Sequence, residues 1–128
     1  VSDYVLDASA LLALMLAEPG AEAIIEMLPT AVIGAVNLAE VIAKLQERGI
    51  PEAEIDGNVA ALNLPVIPFD DGQAIASGKL RARTRSRGLS LGDRACLALA
   101  MARDTQAVTK DRGWDGLEIG AKIVVVRG

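Results

Sequence analysis

Residues 89–103, L-S-L-G-D-R-A-C-L-A-L-A-M-A-R, constrain the fold more than any other stretch of the chain. From Ala95 to Ala102 this segment is wholly apolar and built mostly of strong helix formers. A helix apolar on every side belongs in the interior of a domain, with other elements packed around it. Its first turn nevertheless carries Asp93, and carboxylates are seldom buried without a partner. One explanation is local. Ser90 followed three residues later by an acid has the capping-box spacing, and acids favour helix N-termini. That explanation gains a competitor once three further acids are found in comparable places.

Around this helix, strand and helix patterns alternate. Residues 4–7 read as a short strand ending in an acid, residues 8–17 as a helix with Ser9 as candidate cap, and residues 21–28 as a second helix. Residues 31–34 form the next strand candidate. Asn37 is placed to cap a helix over residues 38–48 whose apolar stripe is Leu38, Val41, Ile42 and Leu45, with Glu40 in its first turn and off that stripe. Pro51 opens a helix to about residue 64, and Val66-Ile67 is a third strand bounded by prolines. Asp70 or Asp71 caps a helix that runs to Gly88, the central helix covers 91–103, and residues 107–109 and 122–126 are the last two strands.

Short apolar strands alternating with helices indicate a parallel sheet covered on both faces. The expected fold is α/β: one domain over residues 1–128, a three-layer α/β/α sandwich with a central, mainly parallel sheet of about five strands. At 128 residues the chain is long enough for a full core. With 52% hydrophobic but only 2% aromatic residues, that core has to be aliphatic, with closely packed alanine-rich helices. No apolar run is long enough to span a bilayer, and no basic stretch precedes residues 8–17, so neither a membrane anchor nor a secretory leader is expected. The single cysteine, Cys96, lies in the apolar helix. It reads as a packing residue and suits a reducing, cytoplasmic compartment.

The chain contains no histidine. Ser–His–Asp and Cys–His pairs are therefore excluded, as are a two-histidine ribonuclease site and histidine-containing zinc sites. Hydrolytic chemistry, if present, has to rest on carboxylates and a hard cation bound through oxygen.

Four acids fit that requirement. In an open α/β sheet, ligands bind outside the carboxyl ends of the strands. Asp7 ends the first strand, Asp111 lies just past the fourth, and Glu40 and Asp93 each stand three residues after a candidate cap. Each has a bland reading as a strand end, a capping acid or a turn residue, but together they converge on one rim. Two carboxylates roughly 5 Å apart repel by about 3 kcal/mol at an effective dielectric near 20. A divalent ion relieves that repulsion and lowers the pKa of a bound water, supplying a nucleophile without histidine.

At these residues the chain resembles a PIN domain, and within that family the VapC-type toxins of toxin–antitoxin pairs. The resemblance is carried by V-L-D-A-S-A-L-L-A-L at 5–14, N-L-A-E-V at 37–41, G-L-S-L-G-D-R-A-C-L-A-L-A at 88–100 and V-T-K-D-R-G-W at 108–114. It spans almost the whole chain. It implies that Asp7, Glu40, Asp93 and Asp111 are catalytic and hold one or two Mg²⁺ or Mn²⁺ ions for hydrolysis of RNA phosphodiesters. Ser9 and Thr109 match polar positions near that site. It also implies a homodimer and a VapB-like antitoxin whose C-terminal segment lies across the active-site groove. Lys110 stands where a small residue is more usual, with Asp115 the alternative acid at that corner.

Net charge is −4, but six of the 13 basic residues (Lys79, Arg81, Arg83, Arg85, Arg87 and Arg94) fall within 16 positions, and no acid lies between Asp71 and Asp93. This segment reads either as a solvated helix end or as a phosphate-contacting surface beside Asp93, with Arg87 and Arg94 nearest the acids. Other readings fit less well. A haloacid-dehalogenase-like phosphatase needs a second acid where Asp7-Ala8-Ser9 has none, and a receiver domain needs paired acids after the first strand. The remaining alternative is a non-catalytic PIN-like module that binds RNA or protein.

Overall fold

The structure, a computed structural model, describes residues 2–128. Its five strands are β1 (Tyr4–Leu6), β2 (Ala31–Gly34), β3 (Val66–Ile67), β4 (Gln106–Thr109) and β5 (Lys122–Val125). They form one sheet in the order β3-β2-β1-β4-β5, parallel throughout. The six helices are α1 (Ala8–Met15), α2 (Ala21–Met27), α3 (Ala35–Glu47), α4 (Glu52–Leu62), α5 (Asp71–Thr84) and α6 (Leu91–Ala102).

Alternation along the strands divides the core. Val5, Val32 and Ala107 point to the face covered by α5 and α6, where they pack with Leu80, Cys96, Leu97 and Ala100. Leu6, Ala31 and Val108 point to the opposite face and meet Ala10, Ala13 and Ile24 of α1 and α2. Ile33 lies on that same face and packs with Leu11, Val41, Leu45 and Ile55 of α1, α3 and α4. The expected three-layer α/β/α architecture is what forms. α6 is its interior helix, with Gly92 and every residue from Ala95 to Ala100 buried. Ala98 and Ala100 are among its side chains packed with Val5, Val32 and Ala107 of the sheet.

Several boundaries differ from expectation. α1 stops at Met15, because Leu16 and Ala17 leave helical geometry and Ala17 has a positive φ of 52°. α5 does not run unbroken to Gly88. It ends at Thr84, and Arg85–Arg87 form a separate 3₁₀ turn closed by Gly88 in the left-handed conformation. α3 begins at Ala35, directly from β2 with no loop, so Asn37 is its third residue and not its cap. Glu40 consequently sits in the second turn of α3.

The chain order fixes where a site can form. From β1 the chain moves outward one way to β2 and β3, then crosses to β4 and β5 on the other side. The carboxyl ends of β1 and β4 therefore flank the point where the strand order reverses, the usual ligand crevice of such sheets. α6 leads into the start of β4, so its N-terminus lies at that same carboxyl edge.

Candidate metal centre at the carboxyl edge

Asp7 anchors the site. It follows β1 directly, its backbone N donates to Val108 O of β4 at 2.9 Å, and it is 4% exposed. It is also the N-cap of α1, accepting from Ala10 N at 2.8 Å. Ser9 is not the cap. Its hydroxyl instead donates to Asp7 Oδ1 at 2.7 Å and accepts from Lys110 N at 2.9 Å. Thr109, fully buried at the end of β4, donates to Asp7 Oδ2 at 2.5 Å and accepts from Asp111 N at 3.0 Å. Both hydroxyl hydrogens are thus committed to Asp7, and the two hydroxyls fasten the ends of β1 and β4 together. Burial pushes the Asp7 carboxyl up to about 6, against the opposing effect of its hydrogen bonds, and the charge of Asp93 adds to the rise.

Glu40 and Asp93 approach from the helices. Glu40 is half-buried, and its carboxyl is raised first by desolvation and further by the charge of Asp93. Its Oε1 accepts from Asn37 Nδ2 at 3.0 Å, and the same amide donates to Gly92 O of α6 at 3.1 Å. Asp93 takes part in the expected capping box: its N–H donates to Ser90 Oγ at 3.2 Å and its Oδ2 accepts from Ser90 N at 3.0 Å. Capping and convergence hold together here. The Cys96 thiol, fully buried below this edge, is pushed well up by burial and then by the charges of Asp7, Asp93 and Glu40. Three of the four acids therefore act on one another or on a common neighbour.

Asp111 reaches the edge through Thr109, but its side chain is exposed and caps the following 3₁₀ turn, with Oδ1 accepting from Gly113 N at 2.8 Å. Two fixtures hold that turn. Trp114 is wholly buried in the core, and exposed Arg87 donates from Nη1 to Gly113 O at 2.7 Å and Asp115 O at 3.0 Å. Asp115 is itself paired with Arg127 at 2.6 Å, which turns it to other work. Arg94 is tied back onto α5, donating to Ser77 O at 2.9 Å. The Lys110 ammonium donates to Pro19 O at 2.5 Å, away from its neighbour Asp111.

All donors at this edge are oxygens, as a hard divalent cation requires. Among the described residues, however, no three acidic or thiol groups lie close enough to enclose an ion. Asp93, Glu40 and Asp111 each use one carboxylate oxygen in the hydrogen bonds above. Among the described residues, the other oxygen of each accepts none. Asp93 is part-exposed and Asp111 exposed, each with an oxygen accepting no hydrogen bond, so the donor set has the oxygen chemistry that a divalent cation takes.

Two features were not anticipated from sequence. Ser9, Lys44, Arg48 and Lys110 line a groove of about 270 Å³ next to Asp7, together with Leu12, Leu16 and Glu18. No local motif in the sequence singles out Lys44 or Arg48. Asn37 read as a cap because its partners, Glu40 aside, lie 55 residues away. A larger concavity, about 620 Å³, is elsewhere, bounded by Thr30, Ala31 and Pro65 near the opposite edge, and no carboxylate lines it.

Comparison with known proteins agrees with this architecture. The PIN domain family pattern matches residues 4–119. Among solved structures, a DNA-bound VapBC complex from Salmonella typhimurium superposes with a TM-score of 0.77 at 20% identity, covering 98% of each chain. A toxin–antitoxin complex from Klebsiella pneumoniae gives 0.75 at 21% identity, covering 96% of this chain and 97% of that one. A VapBC-family member from Mycobacterium tuberculosis gives 0.61 at 19% identity over the full length of both chains. No curated protein sequence matches. With 116 consecutive residues, 4 to 119, accounted for by one family pattern and the fold shared with these structures, the chain belongs to the PIN domain family.

Proposed function

We propose that residues 1–128 form a single PIN nuclease domain that hydrolyses RNA phosphodiester bonds with Mg²⁺ or Mn²⁺, as the toxin of a toxin–antitoxin pair. The observation that carries this reading is that Asp7 after β1 and Glu40 on α3 both feel the charge of Asp93 in the first turn of α6, in a histidine-free chain. Asp111 completes the set at the end of β4. When bound, the cation supplies a water of lowered pKa and offsets charge on the phosphate.

The chain's own residues do the rest. Ser9, Thr109 and Ala10 N hold both oxygens of Asp7, so this ligand needs no reorganisation. Lys44, Arg48 and Lys110 border the adjoining groove and attract the phosphates flanking the cleaved bond. Arg87 fixes the turn that carries Asp111. Arg94 contributes positive charge beside Asp93 while its guanidinium stays tied to α5.

A VapB-like antitoxin partner is supported by the likeness to solved VapBC complexes. Homodimerisation is supported by exposed Val66, Phe69 and Ile75, on and after the edge strand β3. No helix of the described residues is long and apolar enough to cross a membrane. A cytoplasmic site of action agrees with the buried, unpaired Cys96.

The test is incubation with mixed RNA and with DNA, in Mg²⁺, Mn²⁺ or EDTA. RNA cleavage that EDTA abolishes, with DNA left intact, is the expected result. Failure to cleave RNA together with no stabilisation by Mn²⁺ would instead favour the non-catalytic binding module.

A further inference from the structure

Gly92 is conspicuous in α6, a helix otherwise rich in alanine and leucine. Glycine weakens a helix relative to alanine, so its presence needs a cause. Backbone geometry is not the cause, because Gly92 is not among the glycines with positive φ. The surroundings supply one. A β-carbon built on Gly92 would lie 2.5 Å from both the carboxyl carbon and Oε2 of Glu40, and closer still to Oε1. Those are its three nearest atoms, and all belong to one carboxylate. The Glu40 head group occupies the space that any side chain at position 92 would take.

Asn37 secures the same arrangement from the other side. It is 1% exposed, and its Nδ2 divides between Glu40 Oε1 and Gly92 O. One amide thereby ties the Glu40 carboxylate to the first turn of α6. Without such restraint the long arm of Glu40 would sample several rotamers at a part-exposed position.

We propose that Gly92 and Asn37 are positioning residues that together hold the Glu40 carboxylate against the first turn of α6, oriented for a divalent cation shared with Asp7 and Asp93. This rests on the metal-dependent reading above and adds to it the reason that Glu40, alone on α3, is held in place. The atoms a new β-carbon would meet are the far end of a flexible side chain. Gly92→Ala should therefore displace Glu40 and leave the fold intact.

Mn²⁺ affinity, measured by isothermal titration and by electron paramagnetic resonance of free Mn²⁺, separates this role from a structural one. Gly92→Ala is expected to weaken Mn²⁺ binding by about tenfold or more, the usual scale for groups that orient metal ligands, while its far-ultraviolet circular dichroism stays that of the wild type. Asn37→Ala is expected to weaken it in the same direction. Gly57→Ala in α4, where a β-carbon meets nothing within 4 Å, is the control and should leave Mn²⁺ affinity unchanged. In a Glu40→Asp background the shorter acid leaves room for the methyl group, so adding Gly92→Ala should cost about twofold at most. A folded Gly92→Ala protein with wild-type Mn²⁺ affinity would overturn the inference and leave the metal reading standing. Wild-type protein that takes up no Mn²⁺ would overturn the metal reading and this inference with it.

Discussion

At Asp7, three hydrogen bonds favour the carboxylate while burial disfavours it, and burial prevails, raising the group to about 6. The folded state then binds a proton more tightly than the unfolded chain, so ionisation of Asp7 destabilises the fold as pH rises from about 4 through 6. In EDTA, unfolding free energy is expected to increase by about 1 kcal/mol from Asp7 when the pH is lowered from 7 to 5, as urea titrations would register. Glu40, also raised, acts in the same direction. Saturating Mn²⁺ should flatten the dependence, because a bound cation replaces the proton. An EDTA profile in which stability instead falls steadily from pH 7 to 5 would contradict this account of Asp7. Asp7→Asn carries the same logic to pH 7: the variant should melt higher than wild type in EDTA while losing cleavage.

Among the elements, α6 and the turn after β4 set the geometry of the rim. Ser90→Ala removes one half of the capping box and is expected to cost about 1 kcal/mol, read from the chemical denaturation midpoint. Arg87→Ala removes two hydrogen bonds to the turn bearing Asp111. It should lower cleavage severalfold with a stability loss of only about 1 kcal/mol, and faster amide exchange at residues 111–116 would locate the change. These elements also show what was legible in the sequence. The interior helix, the capping box and all five strands followed from local patterns: apolarity on every face, an S-x-x-D spacing, and short aliphatic runs between turn residues. The start of α3 did not. Asn37 is a strong N-cap type, but β2 passes straight into the helix, and a tertiary contact to Gly92 takes the asparagine side chain instead. The break at Thr84 was hidden for a similar reason, since the basic run has no Pro or Gly before Gly88 to mark it.

For the whole molecule, the strand order β3-β2-β1-β4-β5 explains why elements bearing acids more than 100 residues apart end at the same edge of the sheet. All strands point the same way, so β1, β4 and the helix N-termini deliver their acids to one edge. The four candidate acids were legible because residue type and position at strand ends or helix starts carry that information. The restraints around them were not legible. Thr109 to Asp7, Asn37 to Gly92 and Arg87 to Gly113 are contacts between residues distant in sequence, without a local pattern. Charge distribution belongs to this scale as well. Despite a net charge of −4, Lys44, Arg48 and Lys110 concentrate positive charge beside the acids, so RNA affinity should fall steeply as salt rises. A Lys44→Ala/Arg48→Ala protein should show a smaller slope of log affinity against log salt, by roughly one to two units, in fluorescence anisotropy.

The most direct measurement compares RNA cleavage by wild type and by Asp93→Asn, purified identically and assayed in Mg²⁺, Mn²⁺ and EDTA. Asparagine keeps an acceptor for Ser90 N and removes only the charge, so the variant should fold and melt like wild type. The account predicts metal-dependent cleavage by wild type and none by the variant. Cleavage of equal rate in both, or cleavage that persists in EDTA, would contradict it.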